Sequence, residues 1–154
     1  MKGEKAYYLF VYGTLRKGFD LPLQKKIKED IEWLGPSVIR GKLYDIGKYP
    51  AALPLEKNEK SKIKGEVIKI NHPEKVLKLL DRYEGYDPKK IKNSEYYRQK
   101  EKLVLENGKR VDAWVYWYNQ PVEGKKRIRH YDYLNYLKKK STTKNNRTAW
   151  NITQ

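Results

Sequence analysis

Apolar and polar positions follow different rhythms along the chain, and each rhythm predicts an element. Tyr7-Tyr8-Leu9-Phe10-Val11 is a continuous apolar and aromatic run that stops at Tyr12-Gly13. A run this short, rich in strand formers and closed by glycine, predicts one buried strand. Leu21, Leu23, Ile27 and Ile31 are spaced loosely like a helix face, with Pro22 tolerable only in the first turn. Ile31 to Leu34 and Val38 to Ile46 read as strands on either side of Gly35-Pro36, a turn dipeptide. Gly47-Lys48-Tyr49-Pro50 is a further turn, and Pro54 biases Ala51-Ala52-Leu53 toward extended backbone. Leu55 to Ser61 is a charged loop, and Ile63 to Ile70 is again strand-like.

A second helical stripe follows. Val76, Leu77, Leu79, Leu80 and Tyr83 lie between Pro73, at a first-turn position, and Gly85, where a glycine cap is expected. Then Tyr96 to Glu106 and Lys109 to Tyr118 flank Asn107-Gly108, a strong hairpin signal. Val111, Ala113, Val115 and Trp117 alternate with Asp112, Trp114, Tyr116 and Tyr118. Both faces are largely apolar or aromatic, which predicts a central strand. After Pro121 and Gly124, the residues Tyr131, Tyr133, Leu134, Tyr136 and Leu137 predict a docking turn of helix. From Lys138 the chain is Lys, Ser, Thr and Asn, with Trp150 as the one residue suited to dock. Such composition buries too little to fold. The expectation is a folded domain over residues 1–137 and a basic, flexible tail over 138–154. Strand, helix, several strands, helix and hairpin, without regular βαβ alternation, make an α+β chain with a small mixed, mostly antiparallel sheet.

Composition narrows the function classes. The chain has 154 residues, enough for one domain, and a net charge of +16. Residues 125–154 hold nine Lys or Arg against Asp132, so half of the excess sits at that end. A basic surface attracts small anions and admits weak, non-specific nucleic-acid contact. Cysteine is absent, which excludes disulfides and thiolate chemistry, and the two histidines, His72 and His130, make a His-based metal site improbable. No apolar run approaches a membrane span, and the start Met-Lys-Gly-Glu-Lys resembles no secretion signal. The expectation is a cytoplasmic protein without membrane contact.

Two stretches carry candidate chemistry. Where the first strand ends, Gly13 permits a sharp bend and close approach of a ligand, Thr14 adds a hydroxyl, and unpaired backbone N–H groups form a cradle for a carboxylate or phosphate. A plain strand-ending turn would look the same. Glu84 stands in the last turn of the second helix, where the negative end of the helix dipole disfavours a carboxylate, and Tyr83 and Tyr86 flank it. Both effects raise a carboxyl toward neutral pKa, where it takes and gives protons. An exposed glutamate beside a cap is the plain alternative. Asp81 suggests a structural ion pair or cap. Arg98 suits bidentate pairing with a carboxylate, whether a ligand's or the protein's own. No Walker or Rossmann phosphate loop and no serine in a nucleophile elbow is present.

Val11-Tyr12-Gly13-Thr14-Leu15-Arg16 and Leu80-Asp81-Arg82-Tyr83-Glu84-Gly85 together resemble two motifs of the γ-glutamylcyclotransferase-like family, which includes γ-glutamylamine cyclotransferases and AIG2-like proteins. The two motifs lie far apart in sequence and occur in the family's order, and Tyr49-Pro50-Ala51-Ala52-Leu53, Gly65-Glu66-Val67, Tyr97-Arg98 and Ala113-Trp114-Val115-Tyr116 resemble further family segments. The resemblance implies a barrel-like sheet with flanking helices and an enzyme that cyclises a γ-glutamyl amine or γ-glutamyl amino acid to 5-oxoproline, with no cofactor and no metal. It implies Glu84 as the catalytic acid/base, and Tyr12, Gly13, Thr14, Leu15 and Arg98 as substrate-binding residues. The basic tail is a departure from the family pattern. It leaves a basic nucleic-acid-binding or non-catalytic scaffold as the rival reading, and the oligomeric state open.

Overall fold

β1 (Tyr7–Val11) is the middle strand of the molecule, and its alternation organises everything around it. Leu9 and Val11 point into one hydrophobic cluster, while Tyr8, Phe10 and Tyr12 point into another. The computed structural model describes residues 7–13, 22–47, 49–129 and 132–139. The remaining elements are α1 (Pro22–Ile27), β2 (Ile31–Arg40), β3 (Lys42–Asp45), β4 (Pro50–Leu53), β5 (Lys62–Ile70), α2 (Pro73–Tyr83), β6 (Tyr96–Val104), β7 (Arg110–Tyr118) and β8 (Lys126–Ile128). A last helix, α3, covers residues 133–139.

Five strands form one sheet in the order β2-β5-β1-β7-β6, and β4-β3-β8 form a second. β1 pairs antiparallel with β5 and parallel with β7, and the other pairings are antiparallel. Helices cover one face of the large sheet, where Leu23 and Ile27 of α1 and Val76, Leu77 and Leu80 of α2 join Leu9, Val11, Ile68 and Tyr116. The small sheet covers the other face, where Leu43, Ala52 and Ile128 join Phe10, Ile63, Val67, Val115 and Trp117. A strand buried on both sides must be apolar at every position, and this is why β1 and β7 lack a clean polar alternation. The α+β class and the mixed sheet agree with the sequence. The sheets are open and do not close into a barrel, so the barrel-like expectation holds only loosely.

Four local expectations are corrected. Gly35-Pro36 does not separate two strands, because β2 runs through it. The register against β5 shifts between Trp33 and Gly35, and Gly35 takes φ 125°, a bulge conformation open to glycine. The break falls instead at Gly41. Ile31 belongs to β2 and not to the first helix, which gives way to a 3-10 turn over Lys28–Asp30. Tyr83, at the end of the α2 stripe, is 40% exposed. β8 was not expected at all, since Lys-Arg-Ile has no strand pattern of its own, and it forms because β3 offers it an edge. The hairpin at Asn107-Gly108 is present. Gly108 donates its N–H to Leu105 and takes φ 86°, so the connection is a type I turn closed by a left-handed glycine.

Of the aromatic segment near the C-terminus, Tyr133 and Tyr136 dock as expected, and Tyr131 lies outside the described residues. Tyr133 is buried in the small-sheet cluster, and the Tyr136 hydroxyl donates to Asp45 at 2.6 Å. Lys138 and Lys139 continue α3, while residues 140–154, including Trp150, lie outside the described residues, as does His130.

Candidate active site

Two elements converge on one pocket. The strand β1 ends at Val11 and delivers Tyr12 and Gly13 to the pocket wall, and α2 ends there with Tyr83 and Glu84. Tyr49 and Pro50 from the start of β4, Tyr96 of β6 and Tyr116 of β7 complete the wall around a cavity of about 40 Å³. Sequence residues more than seventy positions apart, Gly13 and Glu84, therefore face the same space.

The position of Glu84 follows from how α2 stops. The Tyr86 N–H donates to Asp81 O at 2.8 Å, the Gly85 N–H donates to Arg82 O at 3.2 Å, and Gly85 takes φ 64°. This is a Schellman ending, with Glu84 as the capping residue. Its side chain is partly buried and lines the pocket. Among the described residues, its carboxyl has neither a hydrogen-bond partner nor an ion pair. Burial pushes its pKa up to about 8, and the negative charges of Glu95 and Asp81 push in the same direction. The sequence had pointed to the helix end and the flanking tyrosines. Glu95 was missed, because nothing in the chain marks it. It is brought near through its backbone, whose N–H donates to Gly85 O at 2.9 Å.

The tyrosines around Glu84 have their hydroxyls already engaged. Tyr12 donates to Tyr116 O at 2.6 Å, Tyr96 to Pro50 O at 2.9 Å, and Tyr116 to Asp81 Oδ1 at 2.6 Å. Burial raises the pKa of all three, and the Glu84 charge adds to this. They remain neutral walls across the physiological range. Tyr116 is buried and lines the pocket as well.

Gly13 has a packing reason that the sequence did not show. A Cβ there would stand 2.9 Å from Pro50 Cγ, so a side chain would push on the pocket wall before reaching any ligand. Thr14 and Leu15 lie outside the described residues. Arg98 does pair with a carboxylate, and that carboxylate is Asp81. Arg98 Nε and one terminal nitrogen donate to the two Asp81 oxygens at 2.7 and 3.2 Å. It is not among the residues that line the cavity. Tyr49 also borders a second, open groove of about 730 Å³, shared with Lys92, Glu95, Gln120 and Lys125. His72 starts α2, with a ring nitrogen 2.9 Å from Asp30 Oδ1.

The arrangement is one carboxyl of raised proton affinity in an aromatic pocket beside the end of β1. The chain is similar to known proteins in sequence and in fold. The family model "Gamma-glutamyl cyclotransferase, AIG2-like" matches residues 9–135. A candidate gamma-glutamylcyclotransferase of Methanocaldococcus jannaschii, MJ1514, is 37% identical over 116 residues, which cover 72% of this chain and 83% of that protein. The crystal structure of an AIG2-like protein from Mus musculus superposes with a TM-score of 0.62 at 22% identity, over 84% of this chain and 88% of the mouse chain. The solution structure of ytfP from Escherichia coli gives 0.56 at 30% identity, over 82% of this chain and 96% of its own. The chain belongs to the gamma-glutamyl cyclotransferase, AIG2-like family.

Proposed function

We propose that this protein cyclises a γ-glutamyl compound to 5-oxoproline and releases the amine, with Glu84 as the acid/base. The observation that carries the reading is the Glu84 carboxyl itself. It is unpartnered among the described residues, its pKa is raised to about 8, and it shares a pocket with Gly13. A carboxyl held near neutral pKa without an internal partner is suited to proton transfer. The charges of Glu95 and Asp81 that raise its proton affinity also favour a cation in the pocket, and the substrate's α-ammonium is one.

In this reading the substrate's α-carboxylate lies against the backbone N–H groups of the turn from Tyr12 and Gly13 into Thr14 and Leu15, and its α-ammonium meets Glu84. Glu84 takes a proton. The freed amine attacks the γ-carbonyl carbon, a C–N bond forms, and the five-membered lactam closes. The former amide C–N bond breaks as Glu84 returns the proton to the departing nitrogen. As the lactam forms, the attacking nitrogen sheds a second proton, which Glu84 takes after giving up the first and passes to the released amine. The amine therefore departs as an ammonium ion, and the step balances without a cofactor. Alignment of amine and carbonyl supplies roughly 7–11 kcal/mol in favourable cases. The departing group leaves past Tyr49 into the open groove, where Lys92 and Lys125 favour a leaving group that carries a carboxylate.

The test is a panel of γ-glutamyl amines and γ-glutamyl amino acids, with 5-oxoproline as the readout. The wild type forms 5-oxoproline from at least one of them, and Glu84→Gln is slower by about 10²-fold or more. No product across the panel, or a Glu84→Gln variant within a few-fold of wild type, removes the reading.

A further inference from the structure

Arg98 occupies a position that a substrate ligand would not need. It grips Asp81, three residues before Glu84, with its fork at 2.7 and 3.2 Å. The same guanidinium lies 5.6 Å from the ring centre of Tyr86, two residues after Glu84, and 4.5 Å from that of Trp114. The Schellman turn that carries Glu84 is thus held on both sides by one side chain. From across the hairpin, Tyr116 stands opposite Arg98 in the β6–β7 register and donates to the same Asp81 oxygen at 2.6 Å. Tyr116 also lines the pocket, and its backbone carbonyl accepts the hydroxyl of Tyr12. A continuous path of contacts runs from the strand-end turn to the helix end.

We propose that Arg98 is a positioning residue for proton transfer by Glu84: it fixes the turn that aims the carboxyl into the pocket, and it offsets the charge of Asp81 beside it. The proposal rests on the reading of Glu84 as the acid/base. A planar, always-charged fork that stacks on aromatic rings does both tasks, and a lysine at that position does only one. The charges that act on Glu84 from the surrounding elements are those of Asp81 of α2 and Glu95 ahead of β6, and the Glu84 charge acts in turn on Tyr96 of β6, Tyr116 of β7 and Tyr12 after β1. The tyrosines are neutral, so the balance between Asp81, Glu95 and Arg98 sets the local charge.

The experiment follows the side-chain carboxyl of Glu84 by ¹³C NMR titration of the full chain, its signal assigned by loss in Glu84→Gln, alongside steady-state kinetics. Arg98→Met leaves the Asp81 charge uncompensated, so the Glu84 midpoint moves up, by roughly one unit. Asp81→Asn moves it down, and the double variant returns toward wild type. Arg98→Lys keeps the charge and loses the fork, so its midpoint stays near wild type while kcat falls about 10- to 100-fold with KM little changed. Midpoints unmoved in all these variants overturn the proposal. So does an Arg98→Met protein whose loss lies in KM and in 5-oxoproline binding, since that assigns Arg98 to the substrate. If wild type and Glu84→Gln turn over equally, the acid/base reading fails instead, and the proposal that rests on it falls with it.

Discussion

Asp81 and Glu84 stand three residues apart at the end of one helix, and their surroundings share almost nothing. Asp81 accepts three hydrogen bonds, two from Arg98 and one from Tyr116. Glu84 accepts none among the described residues, and its pKa is pushed up to about 8. The helix turns about 100° per residue, so a three-residue step keeps both on one side of α2. What separates them is what each meets. Asp81 meets the β6–β7 hairpin, where a guanidinium waits, and Glu84 projects past the helix end into a cavity. The comparison teaches that the same side-chain chemistry becomes a fastening or keeps a raised proton affinity according to whether its charge is answered.

On the proposed function, the largest effect comes from erasing the member whose charge is unanswered. Glu84→Gln loses the proton chemistry and keeps the shape, so 5-oxoproline formation falls about 10²-fold or more. Stability moves the other way. The folded-state pKa of about 8 lies above the ordinary 4.5. The folded protein therefore binds that proton more tightly than the unfolded chain does. Its stabilising contribution is complete below pH 4.5 and is lost as pH rises through about 8. Glu84→Gln is free of that loss, so it melts like wild type near pH 4.5 and higher than wild type near pH 8.5. The difference is on the order of a few kcal/mol, read by thermal melts at the two pH values. A lower melting temperature at pH 8.5 contradicts the raised pKa.

Erasing the fastened member gives the opposite sign. Asp81→Ala leaves Arg98, whose side chain is 18% exposed, without its partner. The cost is about 2–3 kcal/mol, since stranding one half of a largely buried pair is expensive. Urea unfolding measures it, and a variant as stable as wild type assigns the pair no structural role.

Much of this comparison could be read in the chain and part of it could not. The stripe Val76, Leu77 and Leu80, with Pro73 before it and Gly85 after, defined α2 and placed Glu84 at its end, because helix periodicity and capping are local properties. β1 and β7 were legible for the same reason. β8 was invisible, since its pairing depends on an edge contributed by β3. Gly35-Pro36 misled because a bulge and a turn use the same residues. In the site, Asp81 was expected to form a structural ion pair or cap, and it forms the pair, with a partner on another element. Glu95 carries no motif and acts only through proximity, which the fold alone creates. The role of Gly13 as the neighbour of Pro50 is likewise a matter of packing.

Charge near Glu84 can be tuned more gently than by deletion. If kcat/KM requires the Glu84 carboxylate of the free protein, it rises with pH, reaches half its maximum near pH 8 and levels above that. Glu95→Gln removes one of the two negative neighbours, so the rise moves to lower pH by a fraction of a unit. A pH profile that keeps its midpoint in Glu95→Gln leaves burial as the dominant cause.

The smallest effect belongs to the groove beyond Tyr49, and it sharpens the comparison by moving away from the reacting centre. Lys92 and Lys125 line that groove and, among the described residues, neither side chain is engaged in an ion pair. Each is exposed, so water and salt screen its attraction for a carboxylate. An exposed ion pair is worth about 0.2–1 kcal/mol, which corresponds to only a few-fold in affinity for both lysines together. The Lys92→Met, Lys125→Met double variant should raise KM a few-fold for γ-glutamyl amino acids, whose leaving groups carry a carboxylate. For γ-glutamyl alkylamines, which carry none, KM stays unchanged, and kcat stays unchanged for both. The difference between the two substrates shrinks as salt is added, because its origin is screened charge. Equal changes for both substrates, or a difference that persists at high salt, would place the departing group elsewhere than in this groove.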